Sequence, residues 1–389
     1  MITFGYPHID YSKEGVVRLL CDFEDGNNSG ELFFDVPEAY GDYLCTTRSD
    51  AYVIAALPRA MRTRQDIITS APVTETLMFQ IEQELIPALS KHSEMYPTRI
   101  FADTAPTLAK KPFYCAASGD MRESAVGTGF SLGTDSFYAI ATLTDSPFSD
   151  LNLTHLAQYE IGAFNNSYRM AGKAEVQAQM FARTYECAKK LKLPLLQSTS
   201  NLKKSLPGDF ELVATFYNLF AVYCMQEFWG AYHLGSHGCG LTPIVFRNFE
   251  RQHSAFYDLL TLNCLSIPGL RFYSNGMAAT RLEKIWTFSK LKQAQQYLHV
   301  CVSESYNCME CEKCRRTLLC LDILDSLDTF AEVFDIDYYR QHRFEYIAWL
   351  CQIIDKKDSR DTMVYKPIYD ALLQKDRQLV RRIRQAMRA

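Results

Sequence analysis

Four cysteines stand close together toward the C-terminal end of this chain: Cys301, Cys308, Cys311 and Cys314, in the stretch CVSESYNCMECEKC. Their C-x6-C-x2-C-x2-C spacing is what one tetrahedral ion needs. A C-x2-C step folds two thiolates onto a small ion, and the longer loop brings the fourth sulfur round. Zn²⁺ suits such a cage because it accepts four soft thiolates at about 2.3 Å with no geometric preference of its own. Four ordinary buried cysteines are the plainer alternative, but a double C-x2-C step is rare by chance. Four protein ligands leave no position for water, so the expected ion is structural and the chemistry must be sought elsewhere.

Thirteen cysteines in all would suit a secreted scaffold, yet the number is odd and four have metal spacing. In a chain of 389 residues that points to a reducing cytoplasm rather than to disulfides. The start, MITFGYPHIDYSKEG, lacks the basic and apolar parts of a secretory signal. No apolar run approaches the roughly eighteen residues of a membrane span, so no membrane partner is expected. With 48% hydrophobic and 22% charged residues the composition is that of a globular protein. A net charge of -4 gives no global attraction to nucleic acid.

Three regions are expected. Residues 1–105 mix strand-like runs with helices and read as an accessory α/β domain. The run ELFFDV, Glu31 to Val36, predicts a strand closed by Pro37. Ser49 or Asp50 should cap a helix through AYVIAALPRAMR, kinked by Pro58 or carrying it in its first turn. Leu77, Ile81, Leu85, Ile86 and Leu89 recur at helical spacing. Residues 106–330 alternate strands and helices, which predicts a doubly wound, mainly parallel α/β sheet. Its strands are expected at 125–130, 151–159, 195–198 and 229–235, with helices at 136–143, 174–191 and 210–225. Residues 331–389 read as helical and increasingly basic. Leu379, Val380, Ile383 and Met387 share one face there, and Lys375, Arg377, Arg381, Arg382, Arg384 and Arg388 cover the rest. A solvated amphipathic helix explains that pattern, with docking of RNA, a carrier protein or another acidic partner left open.

The segment GTGFSLGTDSFYAI carries the chemistry. A strand runs into a short turn and straight into a helix, aiming backbone N–H groups and a helix N-terminus at an anion. Gly133 lets the backbone approach closely, and Ser131, Thr134 and Ser136 add hydroxyls. Asp135 is placed to cap the helix or to organise Mg²⁺.

Ser131-Leu132-Gly133-Thr134-Asp135-Ser136 resembles the SGGxDS loop of the PP-loop ATP pyrophosphatases, departing from it at Leu132, where the motif has its first glycine. The cysteine block resembles the zinc site of the 7-cyano-7-deazaguanine synthase branch, with a shorter first spacing. Together with ATRLEK at 279–284 and CEKCRRT at 311–317, it is also similar to thioamide-forming natural-product members. The resemblance implies that 106–330 is an ATP-binding domain and that the bond broken lies between the α- and β-phosphates. A substrate oxygen would be adenylated, and a sulfur or nitrogen nucleophile would then displace AMP. By resemblance Ser131, Gly133, Thr134, Asp135, Ser136 and Arg281 bind ATP, with Asp135 and Lys284 acting in catalysis; a surface salt bridge with Glu283 is the plainer role for Arg281 and Lys284. Tyr159 to Gly162 and Asn201 fall where superfamily members line the nucleotide pocket.

Sulfur insertion into a small molecule, a purine, a nucleotide or a natural-product intermediate, is the favoured expectation. It needs a thiol near the adenylate. Cys115, in KKPFYCAASGD, is the first candidate and Cys239 the second, with an ordinary core role as the alternative for each. Amidation or nitrile formation with ammonia is the second expectation, and a non-catalytic nucleotide- and zinc-binding module the third. The implied cofactors are ATP, Mg²⁺ and Zn²⁺; a sulfur donor or ammonia source is the implied partner, and a homodimer stays open. His233, His237 and His253 read as structural, and the dense aromatics around Phe216 to Tyr232 fit either a core or a platform for a planar base.

Overall fold

The computed structural model describes residues 1–26, 28–91, 94–116, 118–162, 173–236, 254–302, 304–356 and 359–387. Strands β1 (Ile2–Phe4) and β2 (His8–Asp10) flank a long hairpin of β3 (Val16–Asp25) and β4 (Asn28–Pro37). β4 contains the expected ELFFDV run, with Leu32, Phe34 and Val36 alternating into the core. The Asp50–Thr63 helix follows with Ser49 at its N-cap, and Pro58 lies inside it, past the first turn. β5 (Ile67–Thr69) and β7 (Ile100–Phe101) extend the sheet in parallel beyond β1, while β6 (Val73–Thr74) and β8 (Thr104–Ala105) pair separately. The helix expected through Leu77 to Leu89 forms as Glu75–Gln80, a wider π turn at Ile81–Leu85, and Ile86–Leu89. Its five apolar positions are all buried.

A small hairpin, β9 (Phe113–Cys115) with β10 (Asp120–Arg122), leads into the parallel half. There β11 (Ala125–Gly129), β12 (His155–Glu160), β13 (Leu195–Ser200), β14 (Trp229–Gly235) and β15 (Arg271–Asn275) lie in the order β15-β14-β11-β12-β13. β13 then pairs antiparallel with β4, Thr199 opposite Asp35 and Ser200 opposite Phe34, so the N-terminal strands continue the same sheet. Asn201 fastens this seam. Its Oδ1 accepts from Phe33 N and its Nδ2 donates to Glu31 O, each at 2.8 Å. The side chain that the resemblance would put on a nucleotide is therefore used in joining strands.

Helices cover both faces. Ala125, Ala157, Leu196, Tyr232 and Phe272 point to one core with the Asp50–Thr63 and Phe210–Tyr223 helices. Val126, Leu156 and Ala231 point to the other, shared with the Thr134–Leu143 and Lys173–Leu191 helices and the C-terminal region. The strand alternation slips by one at Gly230, where Ala125 pairs with Trp229 but Val126 pairs with Ala231. This is an α/β protein with a mostly parallel central sheet and a helical C-terminus. Phe216, Tyr217, Tyr223, Phe228, Trp229 and Tyr232 are all at most 1% exposed and fill the first core, so they offer no open platform.

The C-terminal region consists of the helices Ile336–Gln341, Arg343–Lys356, Ser359–Lys375 and Arg377–Ala386. The last one buries Val380 and Ile383 and leaves Arg377, Arg381 and Arg382 exposed, as its stripe predicts. Arg384 instead turns inward, onto Tyr369 and Asp355. Arg388 lies outside the described residues.

Candidate anion-binding turn and thiolate cluster

Chain order and sheet order reverse between β11 and β14. The first two crossovers, through Thr134–Leu143 and Lys173–Leu191, lie on one face; the next, through Phe210–Tyr223, lies on the other. Such a switch point leaves a crevice at the carboxyl ends of the strands, where ligands of doubly wound sheets bind. The Ser131–Ser136 turn leaves β11 at that point. β11 approaches its neighbours closely because Gly127 has no side chain: a Cβ there would meet the Trp229 ring at 2.4 Å.

Leu132 takes φ 61°, the left-handed conformation that glycine adopts freely and a leucine does not. The chain thus makes, with leucine, the bend for which the resembled motif has glycine. Two things hold it there. The side chain is fully buried in the second core, and its carbonyl accepts from His299 N at 2.9 Å. Ser136 closes the turn, its Oγ accepting from Ser131 N at 3.0 Å. Gly133 is the N-cap and offers no side-chain acceptor to the first-turn N–H groups. Ser131 is exposed, whereas Thr134 and Ser136 are buried.

Asp135 is held by two cations. Lys284 Nζ donates to its Oδ1 at 2.7 Å and Arg281 Nη1 at 3.1 Å. Lys284 is only 1% exposed and also donates to Ser236 O, just past β14. Glu283 is not their partner: it forms a capping box with Thr280, accepting from Thr280 N at 2.7 Å and donating its own N–H to Thr280 Oγ1 at 3.2 Å. The T-x-x-E of ATRLEK carried that signal in the sequence.

Two further cations stand beside this group on the Glu312–Ile323 helix, which packs against the Arg281–Phe288 helix. Lys313 is exposed as a residue. Lost hydration, then the Arg316 and Arg281 charges, hold it below the ordinary lysine range, while Asp135 opposes that fall. Arg316 is pulled down in the same way, by burial first and then by Arg281. Its buried Nε finds no acceptor among the described residues. In the sequence CEKCRRT stands only as a likeness; its basic residues three apart on one helix face are the available signal.

The four sulfurs of Cys301, Cys308, Cys311 and Cys314 all lie within 4.8 Å of one another. Cys311 N donates to Cys308 Sγ at 3.3 Å and Cys314 N to Cys311 Sγ at 3.5 Å, so the backbone winds around the cluster. The sulfurs resist ionising together: facing Cys301 first, the Cys311 thiol is pushed up to about 11 and that of Cys314 is raised further. A dication removes that conflict, and four soft donors so close fit Zn²⁺. The cluster can hold such a metal ion.

The structure does not bring Cys115 to the turn. Cys115 is 2% exposed in β9, whose neighbour Phe113 packs on His155 and Phe228 at the amino ends of the strands. The turn is at the carboxyl ends, about 16 Å of strand away. Cys239, His237 and His253 lie outside the described residues. His233 is buried and stacks on Tyr273, with burial lowering its pKa to about 4. Tyr159 stacks on Tyr232 in the core. Among the described residues no helix is long and apolar enough to cross a membrane. Compared with models of protein families, with curated proteins and with solved structures, the chain matches none of them.

Proposed function

We propose that this chain is an ATP-dependent enzyme of the PP-loop type that adenylates an oxygen of a small molecule. The observation that carries the reading is the turn at the switch point, bent at Leu132 as a glycine would bend it. In this reading the first-turn N–H groups and Ser131 receive the β- and γ-phosphates. A carbonyl or carboxylate oxygen of the substrate attacks the α-phosphorus, and pyrophosphate leaves with the electron pair of the α–β bond. A nucleophile then adds to the activated carbon, and AMP departs with the former substrate oxygen. Arg281 and Lys284, fixed through Asp135, lend positive charge where the phosphate oxygens gain negative charge. Mg²⁺ bound with ATP would supply further charge neutralisation.

The nucleophile is sulfur or nitrogen. A sulfur route needs a thiol or an external donor at the carboxyl ends of the strands, and Cys115 is at the other end. That placement takes away the support that Cys115 lent to sulfur; in the second reading ammonia displaces AMP to give an amide, and a second adenylation, now of the amide oxygen, followed by loss of AMP and a proton would give a nitrile. The test is product analysis of ATP turnover with candidate acids and either ammonium or sulfide. AMP and pyrophosphate are expected; ADP and phosphate would refute the assignment, and no turnover with any substrate would leave a nucleotide-binding module.

A further inference from the structure

Both walls of the turn hang from the thiolate cluster. On one side, Leu132 O accepts from His299 N, two residues before Cys301. A Cβ on Gly133 would lie 3.9 Å from His299 O, so the turn and this segment run in close contact. The segment is fastened to the metal loop through Asn307, the residue before Cys308. Its Oδ1 accepts from Val300 N at 2.9 Å and Cys301 N at 3.3 Å, and its Nδ2 donates to Leu298 O at 2.9 Å. On the other side, Cys311 is the N-cap of the Glu312–Ile323 helix, and Cys314 lies in its first turn. That helix packs against the Arg281–Phe288 helix, whose Arg281 and Lys284 hold Asp135 of the turn.

We propose that the metal held by Cys301, Cys308, Cys311 and Cys314 sets the affinity of the Ser131–Ser136 turn for a polyphosphate anion. The proposal rests on the reading of the turn as a phosphate site. Its physical basis is preorganisation. Leu132 stays left-handed only while its surroundings hold it, and Arg281 and Lys284 keep their places on Asp135 only while the helix that their own helix packs against is fixed. When the metal leaves, the four thiols have no common centre, the His299 segment and the helix start loosen, and the bend relaxes toward ordinary backbone.

The probe is pyrophosphate with magnesium present, measured by titration calorimetry on the full chain. Metal-loaded protein is expected to bind it. Protein stripped by a chelator and still folded by circular dichroism should bind at least about tenfold more weakly, within the usual range of site coupling, and regain affinity with Zn²⁺. Equal affinity in the folded stripped protein overturns the coupling while leaving the phosphate turn standing. Failure of the loaded protein to bind pyrophosphate or ATP overturns the turn reading and the proposal with it. A reciprocal measurement covers the case in which stripping unfolds the chain. Coupling works both ways, so saturating pyrophosphate must tighten metal binding and raise the concentration of a chromogenic chelator that takes half of the metal at equilibrium. An unchanged chelator midpoint with pyrophosphate demonstrably bound overturns the proposal.

Discussion

Lys284 meets Asp135 at 2.7 Å across 149 residues of sequence, and it does so with almost no solvent around it. The pair is unequal, because Asp135 keeps 24% of its side-chain surface while Lys284 keeps 1%. Removing the acid therefore takes the countercharge from a buried cation that keeps Ser236 O, whereas removing the cation leaves the acid with Arg281 and water. Asp135→Asn should cost about 2 kcal/mol of stability and Lys284→Met less, whereas two exposed partners would each cost little. Thermal unfolding of both variants checks the order. Pyrophosphate release should fall in both.

The bend at Leu132 separates conformation from packing. Leu132→Gly and Leu132→Ala open similar cavities, but only glycine accepts the left-handed backbone without strain. The glycine variant should be the more stable of the two by about 1 kcal/mol, against glycine's usual disadvantage. Denaturant midpoints decide it. An alanine variant as stable as the glycine one would mean that the turn does not need this φ.

Metal analysis of purified protein should find close to one zinc per chain. A well-folded sample with almost none would refute the cluster as a metal site. Chelation should lower the melting temperature, since the binding free energy of a structural metal is also folding free energy.

Asp258 provides a pH test away from the turn. Burial pushes its carboxyl up to about 7, while Thr215 Oγ1 donates to it at 2.6 Å. An unfolded aspartate ionises near about 3.9, so in that window the folded chain holds a proton that the unfolded chain releases. This contribution is fully present below about pH 4 and is lost as pH rises to about 7. Asp258→Asn cannot ionise, so stability of the native protein minus that of the variant should fall through the window. The difference is the proper readout, because buried His155 and His233, both lowered to about 4, lose stability in the opposite direction as pH falls.

Cys115 should react slowly with iodoacetamide in the native protein, being 2% exposed in the core. Cys115→Ser should leave ATP turnover and product formation unchanged. Loss of a thiolated product, with AMP still formed, would return sulfur chemistry to this residue.

The strands Leu195–Ser200 and Trp229–Gly235 and the turn at Ser131 were legible because each is a local pattern: an apolar run, an alternating one, or hydroxyls and a glycine before a helix. The cysteine cluster was legible for the same reason. β15, RFYSN, was not, since it has little apolar character and its pairing with β14 is decided by the fold. Nor could sequence show that Asn201 ties two strands or that Arg281 and Lys284 choose Asp135 over Glu283. Those choices depend on distances between residues far apart in the chain. Cys115 shows the converse. Nearness in sequence to β11 set it at the end of that strand away from the Ser131 turn, because a strand carries the chain away as it runs.

Gly127 and Trp229 form a lock between adjacent strands, with the indole ring occupying the space where any other residue's Cβ would stand. Neither position can drift alone. In descendants of this chain, a residue larger than glycine at 127 would have to arrive with a smaller one at 229. The two columns should therefore change together or not at all, leaving a mark of the sheet's central contact that could be read without any structure.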